Sequence, residues 1–511
     1  MEISRRSIFR IVGIAVLVGC TVTSYTYAGR ASGSAGPAEG SRRGNQGQGL
    51  IVEAARDGDV EAVHSLLAVG QDVNARQGDG ATALHWAVHR NNIEAISTLL
   101  EAGADVNAAN ALGATPLWLA ATNGESAVVR RLLEEGANPN VRLQRGETPL
   151  MSAARSGDLE TVSVLLAWGA AVDQAEEERG QTALMWAVAQ QHADVALALV
   201  AGGADLSART RVWRQLENTA GNTNPIGNFR MDHGGSTPLL FAARNGDIAT
   251  ARVLVEAGAS VDDVSAAGTS ALVIAAHSGH GALATYLLQA GADPNTNRAG
   301  YTALHAAVLR GQTELTLSLL EHGADIDATV AHGTPGRRFS ADFSIRHQAV
   351  GANAFWLAAK YGELDILRIL AEHGADPFVR PANGVSSLQA AMGRPAISQE
   401  NRRNRVGVPL SEANVQEELV RQLAEVVLSL GVDVNGADQG GNTALHDAVR
   451  TGLASVVEFL ATRGANVQVR NNRDQTALGL AETPLPVPGT NGRRATQPKI
   501  AELLRSFGAG E

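Results

Sequence analysis

Two histidines four residues apart, His85 and His89, share one face of a predicted helix, and that spacing can offer two imidazoles to a zinc ion. A metalloprotease built on such a pair needs a glutamate directly after the first histidine; Trp86 stands there instead. His277 and His280 form a second close pair that brackets a predicted helix stop. The single cysteine, Cys20, lies in the N-terminal apolar segment, so it supplies neither an intramolecular disulfide nor a catalytic thiol for a folded body. No nucleophile elbow, P-loop or dinucleotide fingerprint occurs. The sequence therefore nominates no catalytic, metal-ligating or cofactor-binding residue. A different chemistry is offered by Arg211, Trp213, Arg214, Phe229 and Arg230 in 208–235, and by Arg337, Arg338, Phe339 and Phe343 in 328–352. Arginine and aromatic side chains are the usual anchors of protein–protein contacts.

A repeated phrase must position these side chains. TPLWLAATNGESAVVRRLLEEGANPN begins at Thr115, and TPLMSAARSGDLETVSVLLAWGA begins at Thr148. Equivalent positions are Thr82, Thr115, Thr148, Thr182, Thr237, Ser270, Thr302, Asn353, Ser386, Thr443 and Thr476. Seven of the ten steps lie within one residue of 33, and a fixed period of that size marks a solenoid. At 511 residues the chain exceeds one ordinary core, and its aromatic content of 4% suits a stack of small units.

Each unit predicts helix, turn, helix, loop. Thr115–Pro116 opens the first helix, where proline misses no donor, and Asn123–Gly124 stops it. Val128, Val129, Leu132 and Leu133 give the second helix an apolar stripe, and Gly136 ends it. Trp86 and Trp186 share a repeat position with Leu119, Phe241, Ile274 and Leu357, which predicts a packing row. One pair of short helices cannot bury its apolar side alone, so neighbouring pairs must stack.

TALH at 82–85, 302–305 and 443–446, the TPL phrases and GADVNA at 103–108 resemble the ankyrin repeat over about 50–509. The resemblance implies an all-α solenoid of about twelve stacked helix-turn-helix units with β-hairpin fingers, capped at its start by LIVEAARDGDVEAVHSLLAVG at 50–70. It further implies that the chain binds another protein through the fingers and the inner helix face, and has no catalytic chemistry of its own. His85 then occupies a position with a packing and hydrogen-bonding role.

Long steps between the index positions locate four loop insertions. Those at 208–235 and 328–352 extend fingers; those at 394–416 and 483–498 separate the two helices of one unit. Each carries net charge +2, against −10 for the whole chain, so the remainder carries −18. An acidic chain with a pI near 5.8 argues against a nucleic-acid binder, whose affinity comes from neutralising phosphates. The finger insertions are expected to extend a groove for an acidic or aromatic-rich partner surface; the alternative is that they are solvated loops packed back on the stack. A binding scaffold is the leading function, with an inhibitor or accessory subunit of an exported enzyme as the second reading.

The N-terminus carries Arg5, Arg6 and Arg10 ahead of a short apolar run from Ile11 to Val18, which reads as an export signal over 1–28. SRRSIFR at 4–10 resembles a twin-arginine signal and LVGC at 17–20 resembles a bacterial lipobox, making Cys20 a lipidation candidate. Cleavage after Ala28 and retention as an anchor remain alternatives. All three place the body outside the cytoplasm, in the periplasm or cell envelope, with the membrane reached only through the N-terminus. Residues 29–49 form a Gly-, Ser- and Gln-rich flexible linker.

Overall fold

The computed structural model describes residues 49–218, 228–334, 345, 347–393, 413–486 and 494–510. The export signal with Cys20, nearly all of the linker, and Arg337, Arg338, Phe339 and Phe343 lie outside the described residues.

Twenty-four α-helices, in twelve consecutive pairs, make up the described chain, from Leu50–Asp57 with Val60–Ala68 to Ala477–Glu482 with Pro498–Ser506. The protein is thus an all-α helical repeat. The described residues gather in two compact units. One holds the chain up to Arg211 with Ser236–Ala242 and Ala249–Ser260; the other holds Val212–Gly235, Ala243–Ile248 and Val261 onward. In the first unit, Ala83–His89 packs against both Leu50–Asp57 and Pro116–Asn123. In the second, Ala303–Arg310 packs likewise against Ala271–Ser278 and Ala354–Tyr361.

The repeated phrase folds this way for local reasons. The side chains of Thr115, Thr148, Thr182, Ser270, Asn353, Ser386 and Thr476 each accept a hydrogen bond from the amide three residues on, which satisfies a donor the helix cannot. Gly124 ends its helix at φ 70°, in the left-handed region where a glycine carries no Cβ penalty. The alanines that follow the cap, such as Ala120 and Ala121, are fully buried and let helices approach closely. Leu117, Leu119, Val129, Leu132 and Leu133 are buried around them, each worth about 1.5–3 kcal/mol relative to exposure.

Two of the three histidines of the TALH phrases, His85 and His446, join one repeat to the next. His85 Nδ1 accepts from the Thr82 amide at 3.1 Å and lies 2.9 Å from the Thr82 hydroxyl, so the proton sits on Nε2, which donates to the Ala114 carbonyl at 3.0 Å. Both ring nitrogens are engaged, which leaves His85 no lone pair for a metal. His446 repeats the arrangement with Thr443 and the Gln475 carbonyl. Gln389 stands in for histidine at the same position: its Oε1 accepts from the Ser386 amide, and its Nε2 donates to the Asn442 carbonyl at 2.8 Å. Gln389 also reaches Asp447 at 3.3 Å, whose carboxyl is pushed up to about 6 by burial despite Arg450 at 2.9 Å.

A second set of bridges follows the finger bases. Asn107 donates from Nδ2 to the Gly136 carbonyl at 3.0 Å and accepts from the Asn138 amide at 2.8 Å. Asn74, Asn140, Asn295 and Asn435 make the same double contact to the repeat that follows each. At Asp173, Asp262 and Asp327 only the accepting half is present. Asn107→Ala should therefore lower the unfolding free energy by about 1–2 kcal/mol, and Asn107→Asp by less, because the chain itself uses aspartate there. Urea unfolding of the two variants checks the order; equal losses would show that only the donor matters.

The fingers are closed by short turns, as in the Asn110 amide bonded to the Ala114 carbonyl at 2.9 Å, with isolated bridges at Ala175–Thr182 and Val264–Ser270. Among the described residues, regular strands occur only inside insertions: β1 (Val212–Asn218) with β2 (Asn228–Gly234), and β3 (Leu485–Pro486) with β4 (Arg494–Ala495). Two insertion boundaries move inward from the sequence reading. The helix Ala413–Ser429 takes in the last four residues of the expected 394–416 and is 17 residues long. The closing helix Pro498–Ser506 starts on a proline at its first turn.

Candidate protein-binding surface

The first finger insertion folds into an antiparallel hairpin. Its register sets Val212 against Gly234, Trp213 against His233, Arg214 against Asp232, Leu216 against Arg230 and Glu217 against Phe229. Directly opposed residues of an antiparallel pair share a face. One face thus carries Val212, Arg214, Leu216, Arg230 and Asp232; the other carries Trp213, Glu217, Phe229, Met231 and His233. At its base the Thr210 amide donates to the Ser236 carbonyl at 3.1 Å, and the Ser236 amide returns a bond to the Thr210 hydroxyl at 3.0 Å.

The faces differ in what they meet. On the second, the Trp213 and His233 rings stack at 5.6 Å, His233 pairs with Glu217 at 2.9 Å, and Phe229 lies 6.4 Å from the His332 ring. His332 itself covers Gly300, where a Cβ would come within 2.4 Å of the imidazole. Phe229 and His332 belong to different insertions, so the two finger insertions meet there. On the first face, Val212 and Leu216 are each 57% exposed; Trp213, at the strand edge, is 51% exposed. Arg230 is exposed and makes no ion pair among the described residues.

The candidates named from sequence separate on this geometry. Trp213, Arg214, Phe229 and Arg230 come together on the hairpin. Arg214 is held by Asp232 in an ion pair of 2.8 Å. Arg211 belongs to the finger before it, where its amide bonds the Arg179 carbonyl at 2.7 Å and its side chain covers Gly180. Val212 and Leu216 were missed; their signal is the alternation V-x-R-x-L, which puts apolar and basic residues on one side of a strand. The second insertion rises from a fixed stem. Val330 donates to the Ala352 carbonyl at 2.9 Å, and Thr334 and Ile345 exchange two bonds of 2.8 Å over the buried side chains of Val330, Ile345 and Ala349. In the aromatic row, Trp86, Leu119, Ile274 and Leu357 are buried, and Arg155 covers the half-buried Trp186 ring at 4.7 Å.

A family model described as ankyrin repeats in three copies matches residues 51–142, 126–210, 222–298 and 239–330, more than half of the chain. The chain belongs to the ankyrin-repeat family. Further ankyrin models match 350–381 and 427–481. Among curated relatives, these ankyrin repeats are 32% identical over 141 residues to the human neurogenic locus notch homolog protein 1, a match covering 26% of this chain and 6% of that protein. They are 27% identical over 255 residues to the E3 ubiquitin-protein ligase KEG of Arabidopsis thaliana, covering 49% and 14%. They are 29% identical over 252 residues to the ankyrin repeat and SAM domain-containing protein 6 of Danio rerio, covering 46% and 30%. The match spans less than a third of each relative's length. Ankyrin repeats bind other proteins, and this ankyrin array is a protein–protein interaction scaffold.

Proposed function

We propose that this ankyrin array is an exported, non-enzymatic scaffold that captures a partner protein through its inner helix face, its fingers and its finger insertions, with the β1–β2 hairpin foremost. The observation that carries the reading is the display of Val212, Trp213 and Leu216 on one strand that is held at its base and braced through Phe229. Exposed apolar side chains beside arginine are costly to leave in water and productive to cover. Export is supported by the basic and apolar N-terminal segment of the sequence.

Replacing residues 212–234 by a tight turn is expected to reduce capture of the partner from envelope extract to background while thermal unfolding stays cooperative. Capture that survives this deletion together with removal of 335–344 overturns the reading.

A further inference from the structure

We infer that the outer edge of β1 pairs antiparallel with β1 of a second copy of this chain, centred on Gln215. The inference takes from the proposed function only that the hairpin is a contact surface. It assigns the β1 edge to a second copy and leaves the inner helix face to the captured protein.

The two edges of the hairpin are not alike. On β2, the Gly234 carbonyl accepts from the Ala266 amide at 3.0 Å, and the Phe229 ring lies 6.4 Å from that of His332. On β1, no backbone group from Val212 to Asn218 bonds any described residue other than those of β2. Natural edge strands are guarded by lysine, proline, a bulge or brevity, because a row of unpaired amides and carbonyls recruits another strand. β1 runs seven residues in unbroken register without lysine, proline or glycine, and Val212, Trp213 and Leu216 on it are exposed.

Charge asks for neither an acidic nor a basic occupant. Between Val212 and Gly234, Arg214 and Arg230 balance Glu217 and Asp232, so the hairpin is net zero in a chain of −10. Two copies of an acidic chain meet with least repulsion at a neutral patch of this kind.

The order of side chains along β1 then selects the occupant. A strand of seven residues has one middle residue, here Gln215. Full overlap of two antiparallel copies sets Gln215 against Gln215, Arg214 against Leu216, Trp213 against Glu217 and Val212 against Asn218. That assignment is the same whichever alternate set of amides faces outward. Directly opposed residues share a face, with Cβ atoms about 4.5–5.5 Å apart. On one face donors meet acceptors throughout. The exposed Gln215 carboxamide, which makes no hydrogen bond among the described residues, meets its own copy, and a carboxamide both donates and accepts. The Trp213 indole N–H of each copy, also without a partner among the described residues, meets the Glu217 carboxylate of the other, whose second oxygen is left over from its pair with His233. On the other face the two Arg214 side chains become diagonal neighbours, each already neutralised by Asp232 at 2.8 Å, and their aliphatic stems cover Leu216 of the opposite copy. An unrelated strand would match this order only by chance.

The full chain carrying Cys20→Ser is followed by light scattering and, after mild oxidation, by non-reducing electrophoresis. The parent is expected to be a dimer. Gln215→Glu and Gln215→Lys each place like charges at the centre of the pairing. Each should weaken the dimer by at least about tenfold with thermal unfolding unchanged, and an equimolar mixture of the two should pair as tightly as the parent. Gln215→Cys should cross-link to itself. Val212→Cys and Asn218→Cys should not, because full overlap holds each about 20 Å from its own copy, but mixed together they should cross-link to each other.

A chain that stays monomeric at about 0.1 mM overturns the pairing. So does a dimer that Gln215→Glu and Gln215→Lys leave unchanged, or a cross-link formed by Val212→Cys or Asn218→Cys alone. If the pairing falls while removal of the hairpin still abolishes partner capture, the capture reading stands. If the pairing holds and capture survives that removal, the capture reading falls alone.

Discussion

His305→Gln should remove much of the chain's loss of stability between pH 6.5 and 4. His305 is completely buried, and burial pushes its imidazole down to about 4 from 6.5. The unfolded chain therefore binds a proton in that window that the folded chain refuses. The neutral histidine supports the fold fully above 6.5, and that support is lost as pH falls toward 4. At completion the loss is on the order of 3 kcal/mol. His85 and His446 are lowered for the same reason and act in the same direction. Asp447, raised to about 6, acts oppositely: its contribution is present at low pH and lost as pH rises through 6. Glu147, raised by burial, acts with Asp447, whereas Asp205 and Glu418, lowered by their hydrogen bonds, act with the histidines. Glutamine is the informative replacement because Gln389 already accepts the N-cap amide at the equivalent position. Urea unfolding at pH 7 and pH 4.5 should show a smaller difference for the variant than for the parent. A parent whose stability is flat across that range would refute the assignment.

Trp356→Ala should cost about 3–5 kcal/mol, the usual range for emptying a buried tryptophan site. Trp356 is 1% exposed, its indole donates to the Val385 carbonyl at 2.9 Å, and its amide is capped by Asn353 at 3.0 Å. Truncation leaves a cavity and an orphaned carbonyl between consecutive repeats. Because a repeat array gains stability from nearest neighbours, the damage should appear first as faster amide exchange in Ala354–Tyr361 and Leu364–Glu372, ahead of global melting. Trp356→Phe, which keeps the ring and loses the donor, should cost less. Equal exchange across all repeats would indicate that the array unfolds as one body.

What the sequence made legible was the part governed by neighbours in the chain. Thr115–Pro116 and Gly124 announce a helix start and stop because caps act within four residues, and every index position marks such a start. The stripe Val128, Val129, Leu132, Leu133 is buried as its spacing demands. The asparagine bridges escaped notice, although Asn74, Asn107 and Asn140 recur every 33 residues, because each acts on a backbone group about 30 residues away. The hairpin was located but not seen as strands. Its side-chain alternation is short, and its register depends on pairing across a connection rather than on local propensity. The Arg214–Asp232 pair, 18 residues apart, follows from that register and could not precede it.

The reciprocal clasp of Thr334 and Ile345 has an engineering consequence. One backbone bond and one bond to the Thr334 hydroxyl, above a buried footing, bring the two ends of the insertion together. That makes the site a splice port: a foreign epitope or sensor peptide whose ends meet at similar separation can be inserted there at the modest entropic cost of a longer loop.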